Sequence, residues 1–335
     1  MRIIVPMAGM GKRMRPHTLT VPKPLIKVAG KPIVQRLVEE LATLCTEPIE
    51  EVAYIVGHFG EAVEAELIAI AERLGASGSI HYQDEALGTA HAILCAKSAL
   101  KGKVIVAFAD TLFKAQLKLD DTVDGVLWVK QLPNPEQFGV VQLNASGHII
   151  NFIEKPKTFV SDLAMIGIYY FKDGAVLADE LQYLIDHNII KGNEYQLPDA
   201  LKNMTEKGMK FVPGAVDDWM DCGNKNATVE TNARILNYHA NDKNLVASSI
   251  VNENSVIIQP CYIGENVTLR NCIVGPHAAI GAGSSITNSL ISNSIIQENA
   301  IISNANITNS MLGQSAEVSG TPLDLSISDY STIKN

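Results

Sequence analysis

Over the first 240 residues, apolar side chains follow two alternating patterns: short β-branched runs, and longer stretches in which they return every three or four positions. The runs Arg2–Pro6, Glu51–Val56, Ile80–Tyr82 and Val104–Phe108 predict strands. Between the first two, Ile33, Leu37, Leu41 and Leu44 fall on one face of a helix that Pro32 opens, where its missing N–H costs nothing. Val63, Leu67, Ile70 and Leu74 mark a second helix. A third, with Ala92, Cys95 and Ala99 on a small-residue face, begins after Gly88. Strands alternating with helices of this length predict right-handed crossovers. The expected fold is α/β: a Rossmann-like, mostly parallel sheet with flanking helices. Such sheets bind ligands beyond the carboxyl ends of their strands, and both the Gly9–Arg13 loop and Asp110 fall at such ends.

From about residue 245 the pattern changes. Charges thin out, helical periodicity stops, and Asn, Ser, Gly and Ile dominate. Aliphatic residues recur at about every sixth position: Val256, Tyr262, Ile280 and Ile286, then less regularly Ile296, Ile302, Ile307, Leu312 and Val318. Ile263-Gly264-Glu265-Asn266-Val267 and Ile280-Gly281-Ala282-Gly283-Ser284 read as one unit written twice. A hexapeptide period lets each flat face of a triangular coil contribute one inward aliphatic side chain, while Asn and Gly suit left-handed backbone at the corners. This predicts a left-handed parallel β-helix of roughly four or five coils. The expected domains are residues 1–242 and 243–335.

Charge and cysteines narrow the class. A net charge of −9 argues against nonspecific nucleic-acid binding, which needs a basic face. The five cysteines lie scattered without a CxxC pair, which fits a reducing compartment and indicates neither a zinc site nor a disulfide framework. The N-terminus reads as a strand and no apolar run approaches the ~18 residues of a membrane span. A cytoplasmic protein is expected, with no membrane and no nucleic-acid partner.

The densest chemistry lies at the start. The apolar strand enters Ala8-Gly9-Met10-Gly11-Lys12-Arg13, and Pro16, Thr18, Pro22-Lys23-Pro24-Leu25 and Gly30-Lys31-Pro32 follow. Neither a P-loop nor a dinucleotide fingerprint is present, because the lysine–hydroxyl pair of the one and the third glycine of the other are missing. What remains is a flexible loop whose amides can wrap phosphate oxygens, with Arg13 and Lys23 to offset their charge.

This ordered string resembles the sugar-phosphate nucleotidylyltransferases (nucleoside-diphosphate-sugar pyrophosphorylases), several of which carry a C-terminal left-handed β-helix. The resemblance covers nearly the whole chain and implies transfer of a nucleoside monophosphate from a triphosphate to a sugar 1-phosphate, with release of pyrophosphate. Residues 1–242 would be the catalytic domain. Ala8, Gly9 and Gly11 match the triphosphate loop, and Arg13 and Lys23 its catalytic cations. Lys12 stands where the family usually has Thr or Ser. Gln83 and Gly88, in Gln83-Asp84-Glu85-Ala86-Leu87-Gly88-Thr89-Ala90, match the base-reading segment. A glutamine amide can offer a donor and an acceptor to uracil or thymine. The Leu-Gly-Thr-Ala wording also occurs in guanylyl-transferring members, so dTTP, UTP and GTP stay open.

Asp110 and Asp221 match the family's two acids, implying Mg²⁺, an ion that prefers such hard oxygen ligands. Ala109 replaces the usual glycine before the first. Gly139, Glu154, Lys155 and Tyr169 match the sugar-phosphate pocket, which Trp219 is also expected to line. The substrates implied are a nucleoside triphosphate and a sugar 1-phosphate, with glucose 1-phosphate and dTTP or UTP leading. A mannose-1-phosphate guanylyltransferase and an inactive regulatory paralogue are the alternatives. His277 lies among the repeats, where acyltransferases of this coil type use a histidine, but the repeat region is short for that activity. The β-helix is instead expected to serve assembly of a homo-oligomer.

Overall fold

A computed structural model describes residues 1–115 and 122–321. The last residues of the expected 243–335 domain, 322–335, lie outside the described residues. The chain divides into two compact units. One comprises Met1–Ile26 and Lys31–Ala227; the other comprises Lys27–Gly30 and Thr228–Asn335.

The first unit is built on a nine-stranded mixed sheet. Its parallel part holds β1 (Arg2–Pro6), α1 (Ile33–Leu44), β2 (Glu51–Val56), α2 (Glu61–Arg73), β3 (Ser77–Tyr82), α3 (Thr89–Cys95) and β4 (Val104–Ala107). β1 lies between β2 and β4, and β3 flanks β2, all in parallel register. Ile3, Ile4 and Val5 are fully buried, as are Val52 through Val56, the continuous apolar runs expected of strands covered on both faces. Helix α1 buries Ile33, Val34, Leu37, Val38 and Leu41 completely. Each such side chain contributes about 1.5–3 kcal/mol.

An antiparallel part extends this sheet, and the apolar pattern did not anticipate it. After β5 (Thr111–Lys114), which lies outside this sheet, its further strands are β6 (Gly125–Gln131), β7 (Val140–Leu143), β8 (Ile149–Ile153) and β9 (Leu163–Phe171). β9 pairs antiparallel with β4, β6 and β7, and β8 pairs with β7. Helices α4 (Gly174–Asp186) and α5 (Leu197–Glu206) follow, then β10 (Phe211–Ala215) parallel to β6. The register of β9 shifts between Met165 and Tyr169, around Gly167 at φ 83°. There the Gly167 carbonyl accepts from the Phe108 amide at 3.0 Å. That bend ends β4 at Ala107, one residue before the expected Phe108. Finally β11 (Asp218–Asp221) pairs antiparallel with β5, setting Asp221 opposite Thr111.

The second unit is a left-handed parallel β-helix. Among the described residues one face stacks five strands, Val251–Glu253, Thr268–Arg270, Ser285–Thr287, Ile301–Ser303 and Glu317–Ser319, and each of the other two stacks four. Successive coils are offset by 17 or 16 residues, so a coil is one or two residues short of three full hexapeptides. Ile263, Ile280 and Ile296 form one inward column; Leu269, Ile286 and Ile302 form another. At the corners Asn254, Asn271, Asn288 and Asn304 all take φ near +50°. Their amides hydrogen-bond in a ladder, the first three each donating to the asparagine of the next coil at 2.9–3.2 Å. Asparagine tolerates that backbone because its short polar side chain can bond locally.

Two inward expectations are corrected here: Tyr262 stacks on Ala279 outside the core column while its neighbour Ile263 takes the buried place, and Val256 is the second. Val256 faces solvent at 57 % exposure, and its neighbour Ile257 stacks above Val274, Ile291 and Ile307 instead. Side chains alternate along a strand, so a slip of one residue exchanges the faces. His277, at φ 62°, takes a corner of this unit and meets Asn237 Oδ1 at 2.8 Å through Nε2. Among the described residues no helix is long and apolar enough to cross a membrane.

Candidate active site

At the carboxyl end of β1 the chain turns sharply. Gly11 adopts left-handed backbone, φ 56°, and a Cβ there would lie 3.0 Å from both Lys23 Cβ and Thr18 Cγ2. Thr18 Oγ1 donates to the Gly11 carbonyl at 2.9 Å, fastening the loop. The motif spacing thus works through packing: residues 9–13 close directly onto the segment that carries Lys23.

Lys23 is not a solvated loop lysine. It is 8 % exposed, and its Nζ lies 2.9 Å from Asp110 Oδ2. A buried ammonium needs such a partner. Asp110 follows β4, and the Cys222 amide donates to its carbonyl at 2.9 Å, which ties it to the end of β11. Asp221 there accepts from the Gly223 amide at 2.8 Å through Oδ1. Burial pushes the Asp221 carboxyl above its ordinary range, and the Asp110 charge adds to this. The Gly223 amide, Lys23 and Arg13 act in the opposite direction. A Cβ at Gly223 would lie 2.8 Å from Asp221 Oδ1 and 3.2 Å from Arg13 Nη2, so any side chain there would displace the acid or the cation.

A cleft of about 430 Å³ gathers these groups except Asp221, which does not line it although Gly223, two residues on, does. Ala8, Gly9, Gly11, Arg13, Lys23, Gln83, Gly88 and Asp110 all line it. Gln83 and Gly88 arrive from the β3–α3 connection, which a later segment clamps. The Tyr195 amide donates to the Leu87 carbonyl at 2.8 Å, and the Ala90 amide to the Tyr195 carbonyl at 2.9 Å. The Leu197 amide donates to Thr89 Oγ1 at 3.0 Å. Gly88 sits at φ 113°, and a Cβ there would lie 2.4 Å from Tyr195 O.

The four expected sugar-phosphate residues do not line that cleft; they cluster beside it. A Cβ at Gly139 would meet Glu154 Oε2 at 2.8 Å and Met165 Cε at 2.4 Å, so the Glu154 carboxylate lies against the Gly139 backbone. Lys155 Nζ stands 3.6 Å from Glu154 Oε1, on a residue held at φ 44°. A non-glycine residue in that region is strained, and such strain collects at functional positions. Tyr169 is core-buried. Its phenol is pushed well up by burial, then by the Glu154 charge, and its ring meets Phe108 edge-on at 6.3 Å. Phe108 lines the cleft, so this contact joins the two groups. Trp219 packs edge-on against Phe138, next to Gly139, at 4.7 Å.

Thr89, Phe108, Glu194 and Gly223 also line the cleft without a role in the motif reading. The sequence signal for Gly223 is no more than its place two residues after Asp221. Nothing in the periodicity singles out Glu194, which the clamp delivers from more than a hundred residues downstream of Gln83.

A family model described as "Nucleotidyl transferase" matches residues 3–238. The chain is 31 % identical over 243 residues to the "Bifunctional protein GlmU" of Methanococcus maripaludis, covering 71 % of this chain and 55 % of that protein. It thus spans about half the length of that relative. It is 28 % identical over 342 residues to a "Glucose-1-phosphate thymidylyltransferase" of Streptomyces antibioticus, covering 98 % of this chain and 86 % of the other. Among solved structures, a nucleoside-diphosphate-sugar pyrophosphorylase from Vibrio cholerae superposes with a TM-score of 0.60 at 20 % identity. That match covers 69 % of this chain and 99 % of the other, and shows a shared fold.

Proposed function

The chain belongs to the nucleotidyl transferase family, and on that premise we propose that it transfers a nucleoside monophosphate from a nucleoside triphosphate to a sugar 1-phosphate, releasing pyrophosphate. One observation carries the reading: a single cleft gathers the glycine loop, Arg13, Lys23, Asp110 and the Gln83–Gly88 segment. dTTP or UTP and glucose 1-phosphate are the favoured pair, as the Gln83 match and the thymidylyltransferase relative suggest.

An oxygen of the sugar 1-phosphate attacks the α-phosphorus in line. The new P–O bond forms as the bond from that phosphorus to the bridging oxygen breaks, and the electron pair leaves with pyrophosphate. The attacking oxygen is already ionised, so no general base is needed. Positioning and charge stabilisation carry the rate in such transfers. The amides of residues 8–11 cradle phosphate oxygens while Arg13 and Lys23 take up charge growing on the leaving group. Asp110 holds Lys23 in place before substrate arrives. Lys155 pairs with the sugar's phosphate, and Glu154, set against Gly139, accepts hydrogen bonds from sugar hydroxyls.

Asp110 and Asp221 fit Mg²⁺. They are two carboxylates close enough for the charge of one to lift the other, a repulsion that a divalent cation relieves, and phosphate oxygens would complete the oxygen set. The ion when bound would offset negative charge on the reacting phosphates.

The test is pyrophosphate release with Mg²⁺, crossing dTTP, UTP, GTP, CTP and ATP against glucose, mannose, galactose and N-acetylglucosamine 1-phosphates. One pair should dominate, with a pyrimidine triphosphate in it. Silence across the grid overturns the reading.

A further inference from the structure

The Gln83 side chain meets two partners through one end. Its Nε2 lies 3.2 Å from the Gly88 carbonyl oxygen and 3.2 Å from His91 Nδ1. A carbonyl oxygen only accepts, so the group facing it must be the amide N–H, and this fixes the orientation of the side chain. The second amide hydrogen then needs His91 Nδ1 as its acceptor. That contact holds a neutral imidazole in the tautomer with its hydrogen on Nε2. Both hydrogens are thereby engaged inside the protein. The carbonyl oxygen Oε1 is left as the part of Gln83 without a hydrogen-bond partner among the described residues, on a side chain that lines the cleft. His91 itself is half-buried on α3 and does not line the cleft.

We propose that His91 is a positioning residue for base choice. It locks Gln83 as a hydrogen-bond acceptor, so the cleft takes triphosphates whose base carries a ring N–H, as uracil, thymine and guanine do. Cytosine and adenine present an accepting ring nitrogen at that place, and its lone pair would face the lone pairs of Oε1. This rests on the cleft being the triphosphate site, and it replaces the expectation that Gln83 offers the base both a donor and an acceptor.

Equilibrium binding tests it without requiring turnover. UTP, CTP and N3-methyluridine triphosphate, which lacks the ring N–H, are titrated into the wild type and two variants whose folding is checked by thermal melt. His91→Phe keeps a ring and loses the acceptor; His91→Asn keeps an acceptor in its side-chain carbonyl. The wild type should prefer UTP over both competitors by about ten- to a hundredfold, the span of one good pairing to a base edge, and His91→Phe should reduce this to about threefold or less. His91→Asn should restore most of the preference. Should His91→Phe fail to fold, His91→Leu makes the same contrast, its side chain having no acceptor. A wild type that binds all three alike, or a His91→Phe protein that keeps the full preference, overturns the proposal while leaving the triphosphate site standing. Failure to bind any triphosphate overturns both.

Discussion

Lys23 and Asp110 lie 87 residues apart in sequence and 2.9 Å apart in the cleft, and this pairing makes two predictions separable. If Asp110 holds the metal, Asp110→Asn should raise the barrier by about 3–4 kcal/mol, the scale on which a localised charge acts on a phosphoryl transfer state. Steady-state kinetics with Mg²⁺ reads this. Near-normal turnover removes Asp110 from the metal site. The same substitution strips Lys23 of its partner, so the melting temperature should fall as well. A cycle with Lys23→Met should show a coupling of about 0.5–3 kcal/mol in stability, because both side chains share one contact. Coupling near zero would mean that the ion pair adds nothing to folding.

Two histidines set a pH dependence. Burial lowers the pKa of His17, helped by Lys225, and burial lowers that of His81 against the pull of Glu51. Each group is then more readily protonated in the unfolded chain. Their contribution to stability is full above the ordinary histidine value, about 6.5. It is lost as pH falls below that value toward the lowered folded-state one. Denaturant midpoints for His17→Gln and His81→Gln should therefore lose part of the wild-type decline between pH 7 and 5. Unchanged slopes would exclude both groups as its source.

At the scale of elements, the parallel strands and their helices were legible because they obey one period each. Leu37 and Leu41, or Leu67 and Ile70, fall on a single buried stripe, and β1 and β2 are continuous apolar runs. The antiparallel strands were not, since β9 breaks its register at Gly167 and its paired residues lie from 24 (Ala164 to Val140) to 67 (Phe171 to Val104) positions away. The site divides in the same way. The glycine loop and its cations were visible as a string, whereas the clamp from Tyr195 onto Leu87 and Ala90 is a backbone contact that no residue type announces. That clamp gives Gly88 its requirement: left-handed backbone and Tyr195 O where a Cβ would be. Gly88→Ala should cost about 1–3 kcal/mol of stability from backbone strain, and weaken triphosphate binding more than sugar-phosphate binding. Equal losses of both affinities would mean that the clamp serves the whole fold rather than the base segment.

At the scale of the whole molecule, each unit holds a buried apolar cluster of its own among the described residues. One is the cluster around Ile4, Ile93, Val106 and Leu201 in the first unit; the other is the stack from Cys261 to Ile307 in the second. In a coiled stack each residue rests only on its neighbours above and below, so stability is close to a sum over coils and their interfaces. The slip between Val256 and Ile257 then becomes measurable. Ile291 is fully buried in the middle of the Ile257 column, while Val256 stands more than half exposed at one edge of the face. Ile291→Ala should destabilise the second unit by about 2–5 kcal/mol, through lost burial and the cavity left between adjacent coils. Val256→Ala, with no cavity to leave, should stay within about 0.5 kcal/mol. Denaturant unfolding of the two variants compares them directly. Equal losses would place Val256 inside the coil, where the sequence pattern expects it.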